Sequence, residues 1–436
     1  MSEPKVSHQD LYQSISHSLT QTRGFDRPEP PLMIVDYPCG LGKTSVLLSV
    51  LEDQPDLLVL VVVQTLGEVE RILSSVSEGR LYAPKEAGKT YRTKGEQLEP
   101  LVHAGKSIVM THSLYERAGM LAQQGAFSRY QIIIDEVPNA VSVFDVELTS
   151  ESFNEFYVGP GYCRVREDQL VVMTDKGGKD EERLKDALDE KLINGFKSRR
   201  LYYDGKRHFM QTIPTSLFTH ANGVMVLTFL SEGSLFLKFL RSHEIEYEVL
   251  KSTACNRKFI QEAKCNLKIH AMMSLKNVSF AYSKQTSYLA KSQEVKSVRS
   301  ALKNLRQRGL ANVDLSKVII TCAKSNWFHR SSGKINKAKS GLFSTDSRMF
   351  KGSNWLPNTT RGTNDYSNCS HAIYLYEQNA NPILLNWLDA NNAEFRSAYA
   401  LTEVVQWLWR TRLRRGEPVD VYMPSKKMRE LIQAWL

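Results

Sequence analysis

The segment LMIVDYPCGLGKTS joins an apolar run to a glycine-bearing loop ending in Lys43 and Thr44, and the residues that follow, SVLLSVLED, have helical spacing. A loop of this kind turns backbone amides and a helix N-terminus toward phosphate oxygens. Its lysine reaches the β and γ phosphates of a nucleoside triphosphate, and the hydroxyl after it holds magnesium. Lys43 and Thr44 fill those two places, with Pro38, Cys39, Gly40, Leu41, Gly42 and Ser45 completing the cradle. Gly40 and Gly42 keep Cβ atoms away from the approaching phosphate. The general pattern opens with a glycine, and that place is taken by Tyr37. A tight strand-to-helix turn with an exposed lysine is the competing reading. It weakens with QIIIDEVPN, an apolar strand ending in Asp135 and Glu136. Strand alternation points neighbouring side chains to opposite faces, so the two carboxylates can divide the work. Asp135 then joins the magnesium shell and Glu136 orients the attacking water as its base.

These residues need a scaffold that delivers strand ends to one place. Apolar runs at 32–35, 57–63, 107–110, 131–134 and 224–227 alternate with polar helical stretches. That rhythm belongs to a parallel sheet covered by helices, with ligands at the carboxyl ends of the strands. It lapses at about 145–218, where Asp204-Gly205 between two aromatic and basic runs reads as a hairpin turn; the segment is an insertion of unread purpose. After residue 240 the pattern restarts. KSQEVKSVRSALKNLRQRGL reads as a basic helix, LSKVIIT and HAIYLYE as strands, ALTEVVQWLWRTRLRRGE as a helix stopping at Gly416, and VDVYMP as a last strand. The expected division is residues 1–248, carrying the insertion, and 249–436.

Composition bounds these readings. The chain has 436 residues, with 57 Lys and Arg against 47 Asp and Glu, a net charge of +10. That length exceeds one ordinary domain, and 42% hydrophobic with 24% charged residues excludes a largely disordered chain. The longest apolar run, 57–63, falls far short of the roughly 20 residues that span a bilayer. The polar N-terminus lacks the apolar stretch of a secretory signal, so a cytoplasmic protein without membrane contact is expected. Six cysteines show no CxxC or Cys/His pairing of zinc spacing, which favours free thiols. The basic balance suits a phosphate-bearing partner without demanding one.

Taken in order, the motifs resemble those of superfamily 2 helicases of the DEAD/DEAH type, and the C-terminal phrasing resembles phage-encoded members. PCGLGKT resembles motif I, and IIIDEVPN motif II, with Val137 and Pro138 in place of its usual last two letters. VVVQTLGEVERI resembles motif Ia, and VMTHSLYER the next strand-end motif. VLTFLSEGS stands where motif III would be, with Thr228 for its threonine. TTRGTNDYSN resembles motif V through Arg361, Gly362 and Asp365. QWLWRTRLRRGE resembles motif VI through Gln406 and Arg410, with Trp409 for its glycine and Leu413 in the slot of its second arginine, between Arg412 and Arg414.

The resemblance implies an α/β chain of two RecA-like parallel-sheet domains with the nucleotide in the cleft between them. ATP and magnesium would be the cofactors and nucleic acid the partner, DNA ahead of RNA, in a bacterial or phage-infected cell. It assigns nucleotide contacts to Gly362 and Asp365, and strand contacts to Gln64, Thr65, Thr111, His112, Arg361 and Asn364. Thr65, Thr111 and Asn364 suit phosphate oxygens, and such residues equally suit helix caps. Gln406, Arg410 and Arg414, spaced by four, would share one helix face turned to the γ-phosphate; the competing reading is a basic amphipathic helix packed through Val405, Leu408 and Trp409. Trp327 and Trp355 lie near basic residues and could stack bases or fill a core. The expected function is an ATP-dependent helicase or translocase. A P-loop motor that remodels or packages nucleic acid without separating strands stays open beside it.

Overall fold

The computed structural model describes residues 4–20, 32–85, 93–146, 148–331, 334–344, 349–360 and 362–436. The backbone divides into two compact units. The first comprises Met1–Asp36, Lys43–Lys251 and Asn381–Asn392; the second comprises Tyr37–Gly42, Ser252–Ala380 and Ala393–Leu436.

The first unit is built on β1 (Leu32–Asp36), β2 (Val59–Val63), β3 (Ile108–Thr111), β4 (Gln131–Asp135), β10 (Gly223–Thr228) and β11 (Tyr247–Leu250). These form one parallel sheet in the order β11-β1-β10-β4-β2-β3. Every residue of β1, β2, β4 and β10 is buried. A central parallel strand is covered on both faces by helices, so it reads as a continuous apolar run rather than an alternating one. Ile34, Val62, Ile134 and Val226 share a core with Phe236 and Phe239 from the helix Leu235–Ser242. Register then aligns the polar strand ends: Asp36 lies opposite Thr228, and Leu227 opposite Asp135.

Between β4 and β10 the chain leaves the sheet and builds β5 (Val141–Phe144), β6 (Cys163–Val165), β7 (Val171–Met173), β8 (Leu201–Tyr203) and β9 (Phe209–Thr212). These strands pair antiparallel, as β5-β9-β8 and β6-β7. Their core is their own, centred on Phe153, Tyr157, Phe196, Tyr203 and Phe209. At the β8–β9 turn, Asp204 Oδ1 accepts from the backbone nitrogens of Lys206, Arg207 and His208, which closes the expected hairpin. A short helix from late in the chain, Pro382–Trp387, also belongs to this unit. Its Trp387 donates from Nε1 to Gln169 at 2.9 Å and packs 5.2 Å from the ring of Tyr202.

The second unit holds β12 (Leu267–Ala271), β13 (Val318–Thr321), β16 (Asn354–Trp355), β17 (His371–Tyr374) and β18 (Val419–Met423), parallel in the order β12-β18-β17-β13-β16. A separate antiparallel hairpin, β14 (Phe328–Ser331) with β15 (Lys334–Ser340), interrupts the alternation. The helix expected to run to Gly416 stops earlier, spanning Ala393–Leu408 and followed by a 3-10 turn at Arg412–Arg415. The Thr411 hydroxyl is the cause. It donates to the Leu408 carbonyl at 2.6 Å and accepts from the Leu413 backbone, offering the chain a local alternative to the helical ladder. Among the described residues no helix is long and apolar enough to cross a membrane.

Candidate active site

β1 delivers the chain into the turn 37–42, and the helix Lys43–Asp53 follows. Gly40 and Gly42 adopt φ of 88° and 72°, a region that a side chain makes costly, so the loop depends on glycine at both places. Lys43 opens the helix and is buried. Thr44 Oγ1 donates to Asp135 Oδ2 at 2.9 Å, joining the loop to the end of β4. Adjacent ligands of an octahedral magnesium ion, with bonds of about 2.0–2.1 Å, stand about 2.9 Å apart. A hydroxyl and a carboxylate at that separation would suit such an ion. Burial pushes the Asp135 carboxyl above the ordinary range and the neighbouring Glu136 adds to it, while Thr44 and Lys43 pull it back. A divalent cation would remove that penalty.

Glu136 does not continue the strand. Its φ is 68°, and its backbone nitrogen donates to the Leu227 carbonyl at 2.9 Å. The two carboxylates are separated by a left-handed turn and not, as strand alternation suggested, by the pleat. A non-glycine residue held there costs roughly 1–2 kcal/mol, and the β10 contact holds it.

His112 departs from the strand-contact expectation. Its ring is buried, and Nε2 donates to the Asp135 carbonyl at 3.0 Å, which makes it a brace behind the carboxylate. Thr65 is exposed and caps the helix Leu66–Leu73, accepting from the Glu68 nitrogen. Thr111 makes no cap bond to the helix that follows it, and Gln64 is half-buried at the end of β2.

Asp36 escaped the sequence reading. Buried at the end of β1, it accepts from the Leu230 nitrogen at 2.8 Å, the Ser231 nitrogen at 3.0 Å and the Ser231 hydroxyl at 2.7 Å. Leu230 has φ of 56°, so the carboxylate fixes another left-handed turn, in the loop after β10. A charged residue closing an otherwise apolar run directly before the loop was the available signal. Beside it, Thr228 Oγ1 is buried and finds no hydrogen-bond partner among the described residues.

In the second unit Gly362 has φ of 66°, and Thr363 donates to Asp365 Oδ2 at 2.9 Å. Arg361 lies outside the described residues. Gln406 and Arg410 are buried. Arg410 Nη1 donates to the Thr363 carbonyl at 3.5 Å and Arg414 Nη1 to Asn364 Oδ1. The helix break removes the shared face expected for Gln406, Arg410 and Arg414, yet both arginines reach one loop. Arg412 turns away and donates to the Pro418 carbonyl at 2.6 Å. Gly40, which groups with this unit, leaves only 3.2 Å between the place of a Cβ and Arg414 Cγ.

Residues 259–436 match the family model described as the YonV C-terminal Rossmann-like domain. The chain is 24% identical over 425 residues to the SPbeta prophage-derived uncharacterized protein YonV of Bacillus subtilis (strain 168), covering 92% of this chain and 98% of that one. Among solved structures, the XPD helicase aligns at 12% identity over 100% of this chain and 98% of its own, with a TM-score of 0.51. Apo XPD aligns at 13% identity, over 99% and 97%, with a TM-score of 0.50. The fold is thus that of the XPD structures, two RecA-like α/β units.

Proposed function

We propose that the protein is an ATP-dependent motor that moves along nucleic acid or unwinds it, acting on DNA in preference to RNA. The observation that carries this reading is the Thr44–Asp135 contact, which pairs the P-loop hydroxyl with the strand-end carboxylate across the sheet edge. Lys43 and the 37–42 backbone hold the phosphates, Thr44 and Asp135 hold magnesium, and Glu136 orients the attacking water. Magnesium supplies neutralisation of the charge building on the transferring phosphoryl group. Arg410 and Arg414 supply the cation that meets that charge. Gly362 and Asp365 border the nucleotide; Gln64, Thr111 and Asn364 contact the strand.

The test is ATP turnover across single- and double-stranded DNA and RNA, followed by unwinding of a tailed duplex. Turnover rises with nucleic acid, most with DNA, and Lys43→Ala abolishes it while the far-ultraviolet circular dichroism is unchanged. Wild-type turnover in folded Lys43→Ala refutes the P-loop assignment, and turnover indifferent to every nucleic acid refutes the motor.

A further inference from the structure

The β14–β15 hairpin has no place in the scheme above. From Leu315 to Thr345 the chain has no acidic residue, while Lys317, Lys324, Arg330, Lys334, Lys337 and Lys339 are basic. His329, Asn336, Lys337 and Lys339 are exposed, and Lys337 and Lys339, two apart on one strand, share a face. Among the described residues, none of 329–340 joins the core of this unit. A lone two-stranded hairpin is at best marginal in water, so its retention asks what it meets.

Its base, by contrast, is fixed. Gln285, wholly buried, donates to the carbonyls of Phe280 and Leu375 and accepts from the Ala323 nitrogen at 3.0 Å. Asn326, also buried, donates to the Gln285 carbonyl at 2.8 Å, and its own carbonyl accepts from Phe343 at 2.7 Å. Gly341 closes the base by donating to the Trp327 carbonyl at 2.9 Å. A Cβ there would stand 2.6 Å from the Asn326 oxygen, so only glycine fits. Trp327 and Trp355, candidates for base stacking in the sequence, instead belong to this anchorage: Trp327 is buried, and Trp355 packs on Phe328 and donates to the Cys322 carbonyl.

We infer that the hairpin is a basic arm that binds the phosphate backbone of a nucleic-acid duplex. The inference rests on the nucleic-acid reading above and adds a contact that reading does not contain. Charge complementarity names a polyanion. Beyond Phe328 at its root the arm has no Phe, Tyr or Trp, the large rings that serve best as platforms for single strands, and His329 is its one further ring. A two-stranded ribbon matches the width of a duplex major groove, and lysines exposed along β15 would contact phosphate without reading bases.

The experiment compares the wild type with Lys337→Ala/Lys339→Ala and Lys337→Arg/Lys339→Arg, titrating a short blunt DNA duplex and oligo(dT) by fluorescence anisotropy across salt concentrations. The alanine pair lowers duplex affinity and reduces the log–log salt slope by about 2, close to one for each phosphate that a lysine no longer neutralises. The arginine pair restores both; oligo(dT) affinity and nucleic-acid-free ATP turnover stay at wild-type values. An unchanged duplex slope in the alanine pair overturns the arm while leaving the motor intact. Equal weakening on oligo(dT) overturns the duplex assignment. A wild type that binds neither ligand overturns the arm and the motor together.

Discussion

At the carboxyl edge of the first sheet, Asp36, Thr228 and Asp135 stand on neighbouring strands because β1, β10 and β4 are in register. In the turn after Leu408, Arg410 and Arg414 reach Thr363 and Asn364 although no regular element joins them. The first arrangement is held by a buried ladder whose every hydrogen bond repeats the same instruction. The second rests on a turn held by the Thr411 hydroxyl and by isolated backbone bonds, such as Arg412 to the Cys369 carbonyl and Arg414 to the Thr411 carbonyl. Positions fixed by a ladder tolerate the removal of one polar group, whereas positions fixed by a turn do not.

The largest effect that can break this comparison lies in the arginines. An arginine that meets the transferring phosphoryl group is worth roughly 10³–10⁵ in turnover. Arg410→Ala and Arg414→Ala should each lose most hydrolysis with nucleotide affinity little changed, and Arg412→Ala, whose side chain serves the Pro418 carbonyl, should lose little. Steady-state kcat together with nucleotide titration checks it. A crippled Arg412→Ala beside an active Arg414→Ala would show that the turn presents a different residue.

Next comes Glu136→Gln, which keeps the shape and removes the base. General-base catalysis contributes about 10²–10⁴, so kcat should fall by that factor while magnesium-ATP still binds. The left-handed turn at Glu136 is held through its backbone nitrogen, which the substitution leaves alone. If magnesium-ATP affinity collapses together with hydrolysis, Glu136 belongs to the metal shell and the division of roles with Asp135 falls.

The same contrast explains what was legible. An apolar run closing in Asp135-Glu136, and another followed by a glycine-bearing loop and Lys43-Thr44, carry their meaning in sequence, because a strand with two covered faces cannot accommodate polar residues except at its ends. The Asp204 turn was legible for a local reason, since its carboxylate bonds the next few backbone nitrogens. Asp36 carried a signal as the charge that closes the first apolar run, but its role was not legible, because its partners Leu230 and Ser231 are remote in sequence and only the β1–β10 pairing brings them together. The helix break at Thr411 was hidden by strong helix formers on both sides. The hairpin at 328–340 was hidden because its strands carry lysines where an alternating apolar pattern would have marked them.

Asp36→Asn sharpens the comparison with a smaller effect. The amide keeps one acceptor oxygen, and its nitrogen faces donors that it cannot accept from. Hydrogen bonds to a charged group are worth roughly 1.5–3 kcal/mol, so the loop after β10 loosens while β1 stays paired. kcat should fall about tenfold with nucleotide KM nearly constant, and Ser231→Ala, which removes only the hydroxyl contact, should fall less. A KM effect exceeding the kcat effect would place Asp36 in nucleotide binding instead of in positioning the β10 loop.

The smallest effect concerns Asp135 without nucleotide. Its carboxyl is held above the usual range chiefly by burial, so the folded state resists the charged form more than the unfolded state does. The sign follows from linkage: the unfolded chain releases this proton at lower pH, so this group's contribution to stability is fullest below the unfolded pKa and is lost as pH rises through the folded one. Wherever the carboxyl is ionised its charge is therefore a cost, which a bound divalent cation would offset. Asp135→Asn removes that cost and keeps an oxygen able to accept from Thr44. Apo Asp135→Asn should melt slightly above the wild type at neutral pH, by a few degrees at most, since about 1 kcal/mol moves Tm by roughly 2–4 °C in domains of this size. The gap should narrow as pH falls through the raised folded pKa, where the wild type takes up its proton, and be closed below the unfolded carboxylate pKa near 3.9. With magnesium-ATP the order should reverse, because only the carboxylate gains the ion. Calorimetry across pH, with and without magnesium-ATP, reads both signs; an apo variant that melts below the wild type at neutral pH would make Asp135 a net structural support of the ladder and not a charge stored for the metal.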